Sequence, residues 1–268
     1  MIYIQPLQTF TEKTASPKLN GIIRLLHIGI PTVSNGFLLP SSLFQDYIHK
    51  RKLPDEAIFE IEQICSSIKK LGYTITLRNA VYEQNNPALS FAVSNTLNIS
   101  NIHEVLRLIE RGYRRVKQQV IDPENVECHF LIQSYYLSIK CGSLISSDSE
   151  NHISILGIIG QHTDQMLRKD CKPDKVIIEK RTYKILTFIN EPKYWYWKKT
   201  QNGMQKIRIK KELQHIPVLS KKQAIYIAQL SQLVERKYGP QEMNWAILND
   251  GSIIFQETHD IKQTKGGE

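Results

Sequence analysis

LRNAVYEQNNPALSFAVSNTLNIS, residues 77–100, runs from the end of an apolar strand through a long polar loop into a Ser-Phe-Ala segment. Arg78 stands where the strand Tyr73–Leu77 is expected to end. A strand that delivers an arginine into a polar loop suits phosphate handling, because a guanidinium can donate two parallel hydrogen bonds to phosphate oxygens.

The patterns on either side predict mixed α and β structure. Upstream, Ile22, Leu25 and Leu26 have helical spacing, with Gly29 and Pro31 as the stop. Pro40-Ser41-Ser42 opens a helix to about His49, and Pro54-Asp55-Glu56 opens another to Lys70, closed by Gly72. Downstream, residues 101–118 form an amphipathic helix on Ile102, Val105, Ile109 and Val116. From residue 127 the period changes to that of strands: ECHFLIQSYY, SIKCGSLIS and HISILGIIG, then KPDKVIIEK at 172–180. A last helix is expected from a Ser220 cap to Lys237, followed by two strands around Asn249-Asp250-Gly251.

Bulk composition narrows the classes. A chain of 268 residues with 41% hydrophobic content can bury a core. No apolar run approaches the roughly 18–20 residues of a membrane span, and Gln5, Thr9 and Glu12 interrupt any leader, so a cytoplasmic location is expected. Cys65, Cys128, Cys141 and Cys171 are widely spaced and read as reduced thiols. The net charge of +9 suits a polyanionic ligand without naming one. Residues 193–211 interleave Lys and Arg with Tyr194, Trp195, Tyr196 and Trp197. That mixture could bind nucleic acid, but the alternation on each side of Asn202-Gly203 favours an ordinary β-hairpin with a solvated cationic face.

Five blocks share one pattern in order. They are Ser16-Pro17-Lys18 with Gly29-Ile30-Pro31 and Asn35-Gly36-Phe37; Arg78 with Ser90-Phe91-Ala92 and Thr96-Leu97-Asn98; Gln133 with Gly142; Pro173-Asp174 with Lys180; and Pro240-Gln241-Glu242 with Trp245-Ala246-Ile247 and Gln256. In these the chain resembles the amino-terminal nucleotide-binding domain of the phosphoenolpyruvate synthase and pyruvate phosphate dikinase family. The resemblance implies an α+β, ATP-grasp-like architecture: a portion at 1–125, a second at 126–262 with a nucleotide cleft between them, and a loose tail at 263–268. It also implies roles. Lys18 and Arg78 would act catalytically at the phosphates, with Thr96 among the nucleotide-binding residues. Gln133 would lead into an adenine linker of Ser134, Tyr135 and Tyr136. Glu242, Asn244 and Gln256 would hold Mg²⁺ beside ATP, with Gln256 also facing the nucleotide.

Departures from the pattern qualify the chemistry. Asn244 replaces a glutamate, Thr258 an arginine, Gln84-Asn85 an acidic pair, Val93 a glycine, and Gln161–Asp164 a Gly-Leu-Gly-Glu segment. Losing a carboxylate at position 244 should weaken the metal and leave phosphate charge less neutralised. In the family, the domain phosphorylates a histidine on a swivelling domain that visits a barrel, and neither part fits in 268 residues. The expectation is a stand-alone domain with a degenerate site, a binding or regulatory pseudoenzyme subunit beside a protein partner that carries the missing parts. The alternatives are an active ATP-dependent phosphotransferase with its acceptor supplied in trans, and nucleic-acid binding through 193–211.

Overall fold

A computed structural model gives the structure of the chain and describes residues 3–11, 14–33, 35–83, 96–120, 122, 125–148, 150–160, 171–200 and 203–261. Two compact units emerge. One contains Met1–Ile23 and Val33–Tyr136, the other Arg24–Thr32 and Leu137–Glu268.

The first unit is built on a five-stranded sheet in the order β1-β2-β5-β3-β4. Its strands are β1 (Gln5–Pro6), β2 (Gly36–Leu39), β3 (Thr74–Tyr82), β4 (Thr96–Ile99) and β5 (Glu127–Tyr135). Helices α2 (Ser41–Lys50), α3 (Asp55–Lys70) and α4 (Ile102–Gln119) supply the apolar faces expected of them. Their buried Phe44, Tyr47, Ala57, Ile61, Val105, Ile109 and Tyr113 meet Ile75, Leu77, Phe130 and Ile132 of the strands in one core. Tyr113 is central. Its ring lies 5.2 Å from Phe44, 5.4 Å from Tyr47 and 5.2 Å from Phe130, separations at which aromatic rings attract beyond their burial. Gly112 lets α4 sit this close, since a Cβ there would come 2.4 Å from Phe130 Cζ.

The second unit carries a six-stranded sheet in the order β13-β12-β6-β7-β8-β9. The strands are β6 (Ser138–Ile145), β7 (His152–Ile159), β8 (Asp174–Glu179), β9 (Ile185–Ile189), β12 (Gln241–Leu248) and β13 (Ile253–Asp260). A separate hairpin joins β10 (Trp195–Thr200) to β11 (Gly203–Arg208). Helix α5 (Lys221–Tyr238) begins with a capping box between Ser220 and Gln223. It packs Ala224, Ile227, Ala228 and Val234 against Ile153, Ile155, Val176, Met243, Trp245 and Phe255.

Helix α1 (Pro17–Ile28) contributes residues to both units. Its final part and the following segment belong to the second for specific reasons. Leu25 and Ile30 enter that core, Phe255 N donates to Pro31 O at 2.7 Å, and Arg24 pairs with Asp260 at 2.6 Å.

Helix boundaries fall close to those expected from the caps. The strands show two differences. The second portion, expected to open at residue 126, opens at Leu137, because β5 lies inside the first sheet and bonds to both β2 and β3. Strand β3 runs on to Tyr82, so Arg78 sits mid-strand opposite Leu131 and not at a strand end. Among the described residues no helix is long and apolar enough to cross a membrane. The tail at 263–268 lies outside the described residues.

Two buried features fix the second unit. Asp174 and Lys193 form an ion pair of 2.7 Å with side chains only 4% and 6% exposed. Asp174 also accepts from the backbone N–H groups of Glu191 and Val218, while Lys193 donates to Asn190 Oδ1 and Glu191 O, so both charges are paired and further hydrogen-bonded. The second feature is Trp245, wholly buried against the facing glycines Gly142 and Gly157. A Cβ on Gly142 would lie 1.9 Å from Leu156 O and 2.5 Å from Trp245 Cζ2. Gly142→Ala should therefore destabilise the protein by about 3 kcal/mol, the upper end for overpacking. A urea midpoint unchanged from wild type would show that the indole does not fill this trough.

Candidate functional site

In the first unit, Lys18 lies in the opening turn of α1 and is half-buried. Strand pairing sets which of the other candidates share a face. Arg78 is opposite Leu131 and Thr76 opposite Gln133, so Arg78 and Gln133 lie on one face of the sheet, away from the Phe130 and Ile132 side. Thr96 does not join them. Asn98 has a left-handed backbone, φ 59°, and β4 is irregular there, so Thr96 pairs with Leu77 and takes the opposite face from Arg78.

The expected adenine linker is also shifted. Gln133, Ser134 and Tyr135 all belong to β5, leaving Tyr136 and Leu137 between β5 and β6. Gln133 is 2% exposed, tucked beside Gly36, and its Nε2 has no hydrogen-bond partner among the described residues. The Tyr136 ring packs at a tilt against Tyr73, with 5.1 Å between ring centres. Burial, then the neighbouring Tyr73 phenol, pushes the Tyr136 phenol above its ordinary range, with the polar side chains of Ser134 and Asn35 pulling the other way.

The second unit presents a compact arrangement on the face of its sheet away from α5. Alternation along β12 sends Met243, Trp245 and Ile247 to the helix side, and Glu242, Asn244 and Ala246 to the other. There Ala246 pairs with Cys141 and Ile254, and Cys141 with Ile158, giving a small apolar patch. Beside it, Asn244 pairs with Ser143.

A β-bulge decides what else reaches this face. From the turn, the β12–β13 pairs run Ile247↔Ile253, Ala246↔Ile254 and Trp245↔Phe255, after which the register slips to Asn244↔Glu257 and Glu242↔His259. Gln256 is the extra residue. An unbulged hairpin would set Gln256 opposite Asn244, the relation expected of two metal ligands. Here Glu257 takes that place: Asn244 Nδ2 donates to Glu257 Oε1 at 2.8 Å, and His259 Nε2 lies 3.8 Å from the same oxygen. A carboxylate only accepts, which identifies the amide nitrogen as the end facing Glu257 and leaves Asn244 Oδ1 as an available acceptor.

Glu257 was not among the sequence candidates, because the slip that aims it leaves no mark in residue order. Of the residues that were, the structure gathers Glu242 and Asn244 on one face, with Gln256 next to them in the bulge. Glu242 is exposed, while Asn244 and Gln256 are half-buried. Among the described residues no three His, Cys, Asp or Glu side chains group as a metal centre. The donors do fit a magnesium ion in kind, since Mg²⁺ takes one or two carboxylates and completes its shell with water and phosphate oxygens. Gln84, Asn85, Ser90, Phe91, Ala92, Val93 and Gln161–Asp164 lie outside the described residues.

Two other regions complete the survey. The β10–β11 hairpin forms as expected, and it stacks its own cations on its own ring: Lys206 Nζ is 5.2 Å and Arg208 Cζ 5.8 Å from the centre of Trp195. His129, 6% exposed in β5, lies 3.5 Å from Glu127 Oε2 and is a packed residue, as the sequence suggests.

Comparison with known proteins adds the following. The family model for the pyruvate phosphate dikinase AMP/ATP-binding domain matches residues 42–265, a span that includes Arg78, Gln133, Glu242, Asn244 and Gln256 and begins after Lys18. A protein named "Probable phosphoenolpyruvate synthase" from Methanothermobacter thermautotrophicus is 23% identical over 240 residues, covering 82% of this chain and 35% of that protein. Among solved structures, D-alanyl-alanine synthetase A from Vibrio cholerae aligns over 91% of this chain and 55% of its own, with 10% identity and a TM-score of 0.46. An N5-carboxyaminoimidazole synthetase from Staphylococcus aureus, complexed with ADP, aligns over 91% and 44%, with 12% identity and a TM-score of 0.39.

Thr258 offers a direct check on the bulge. It is wholly buried, pairs with the core residue Met243 and donates to Gln241 Oε1 at 2.9 Å. Thr258→Arg, which restores the residue type of the family pattern, should lower stability by at least about 3 kcal/mol, the scale of an uncompensated buried charge. Chemical denaturation gives the answer, and a neutral result would mean that residue 258 faces solvent or ligand.

Proposed function

The chain belongs to the pyruvate phosphate dikinase AMP/ATP-binding domain family, and on that footing we propose that it binds ATP as a phosphoenolpyruvate synthase-like, ATP-grasp-type domain whose phosphate and metal site has been rebuilt. The observation that carries this reading is the placement of Glu242 and Asn244 on one face of the second sheet, with Gln256 in the adjoining bulge, inside the span that the family model matches. Arg78 and Gln133 share a face of the first sheet, and Arg78 and Lys18 are the two cationic candidates of the first unit for a phosphate group.

Magnesium, when bound, would neutralise phosphate charge, and Glu242, Asn244 and Gln256 would be the residues to hold it. Phosphoryl transfer depends on positioning and charge stabilisation. With an amide at position 244 and a buried threonine at 258, both are reduced relative to the family pattern. The chain accordingly serves as a nucleotide-responsive subunit, beside a protein partner that carries the phosphate acceptor.

Calorimetric titration with ATP and a nonhydrolysable analogue, with and without Mg²⁺, tests this directly. Binding should be measurable at sub-millimolar nucleotide and fall at least about tenfold in Arg78→Ala, the scale of a charge-assisted phosphate contact. No heat at millimolar nucleotide would refute the binding reading. Conversely, steady ATP turnover by the chain alone would refute the rebuilt, non-transferring site.

A further inference from the structure

We infer that the outward face of the β10–β11 hairpin binds single-stranded nucleic acid, with Trp195 as a platform on which a base stacks and Lys206 and Arg208 as contacts to the backbone phosphates. The inference is separate from the ATP-binding reading, which makes no use of these residues.

Register decides which side chains share a face. Among the described residues, β10 and β11 pair with each other alone, in a two-stranded sheet of their own. Trp195 stands opposite Arg208 and Trp197 opposite Lys206, and residues opposite each other lie on one side of a ribbon. Alternation therefore gives one face two tryptophans and two cations, while Tyr196 and Ile207 take the other. The face of Tyr196 and Ile207 is the inner one: both are half-buried, and Ile209, two residues on, is 5% exposed. On the outer face Trp195 is 43% exposed and both Lys206 and Arg208 are exposed.

The root of the ribbon is clamped to the second unit. Lys193 is committed to Asp174 in the buried ion pair, and its backbone N–H donates to Gln214 O at 2.8 Å. Gln214 Nε2 in turn donates to Ile209 O at 3.1 Å, and Ile209 N donates to Tyr194 O at 2.9 Å. The outer face is thus held in place before a ligand arrives, which lowers the cost of ordering it on binding.

Charge and shape together select the ligand. Residues 192–211 hold seven Lys and Arg and no Asp or Glu, so even with Lys193 neutralised by Asp174 the hairpin attracts an anionic chain. Lys210 and Lys211, both exposed, carry that charge past the end of β11. The cations flank an aromatic surface: Lys206 Nζ lies 5.2 Å and Arg208 Cζ 5.8 Å from the centre of the Trp195 ring. A flat ring beside two cations matches the alternation of base and phosphate along a single strand. Trp197, two residues on and so about 7 Å farther along the same face, extends the platform. An acidic polypeptide would satisfy the charges and leave the indole without a stacking partner, and a duplex keeps its bases stacked on one another and offers the hairpin its phosphates.

Fluorescence anisotropy with a labelled oligothymidylate of about 20 nucleotides tests this, a length above the usual footprint of a single-strand binding module. The wild-type chain should bind it more tightly than a duplex of the same length, and the affinity should fall steeply with salt. Trp195→Ala should weaken binding at least about fivefold, the lower end for loss of one base stack, and Trp195→Phe should recover most of the loss. Lys206→Gln with Arg208→Gln should flatten the slope of log affinity against log salt by about 1.4, since each phosphate contact on a single strand contributes about 0.7. All three positions are exposed, and urea midpoints check that each variant keeps its fold. No binding at low salt, equal affinity for the duplex, or wild-type affinity in Trp195→Ala overturns the proposal. Displacement by polyglutamate as effective as that by unlabelled oligothymidylate also overturns it, in favour of an acidic protein partner. Trp195→Ala should leave calorimetric ATP binding unchanged, and a loss there would return the hairpin to the nucleotide site and overturn its separate role. Failure of the wild-type chain to bind ATP would refute that reading and leave the oligonucleotide result as it stands.

Discussion

The seating of Trp245 over Gly142 and Gly157 governs the second unit. The indole has room only because two facing glycines carry no side chain at the point where β6 and β7 pair, and its Nε1 donates to Ser143 O at 3.3 Å. Trp245 opposite Gly142 sets the register of β12 on β6. That register places Asn244 beside Ser143 and Ala246 beside Cys141 on the reverse face. In a strand, neighbouring residues point to opposite faces, so one large side chain locked into the core also orients the polar residue before it and the small one after it. The candidate site thus inherits its geometry from packing on the side it does not share.

The sequence made much of this fold legible, for local reasons. Helix ends carry their own chemistry: the Ser220 cap, the acidic start and basic end of α3, and the left-handed Gly29 and Gly72 where a side chain would be strained. The family blocks likewise correctly ordered the strands from Gln133 to Gln256. Non-local relations stayed hidden. β3 reads as ending early because Arg78 and the buried Asn79 interrupt its apolar run, although backbone pairing with β5 continues to Tyr82. The assignment of β5 to the first sheet depends on hydrogen bonds to β2 and β3, which no periodicity reports.

The same distinction applies to the site. Glu242 and Asn244 share a face by the period of two, and the structure keeps them together. Thr96 illustrates the failure of that rule, since a single left-handed residue, Asn98, changes what its strand pairs with. Glu257 illustrates it again: symmetric pairing about the Asp250 turn would send it to the core side, and one extra residue in β13 reverses the assignment for everything from Glu257 to Asp260.

That reversal bears on how the departures from the family pattern are read. Taken one at a time, Asn244 and Thr258 look like losses. Taken with the bulge, they form a consistent set. Thr258 faces the core, where an arginine would be an unpaired buried charge and where its hydroxyl instead completes a chain through Gln241 to Asp260 and Arg24. Asp260 is correspondingly held below the usual carboxylate range, first by the Arg24 hydrogen bond, with Gln241 adding to it against the effect of burial. Asn244, for its part, faces a carboxylate; a glutamate there would set two like charges directly opposite each other across the strands, an arrangement that destabilises a sheet. An amide at 244 and a hydroxyl at 258 are therefore residue types that the slipped hairpin accommodates, each through a hydrogen bond that the register makes possible.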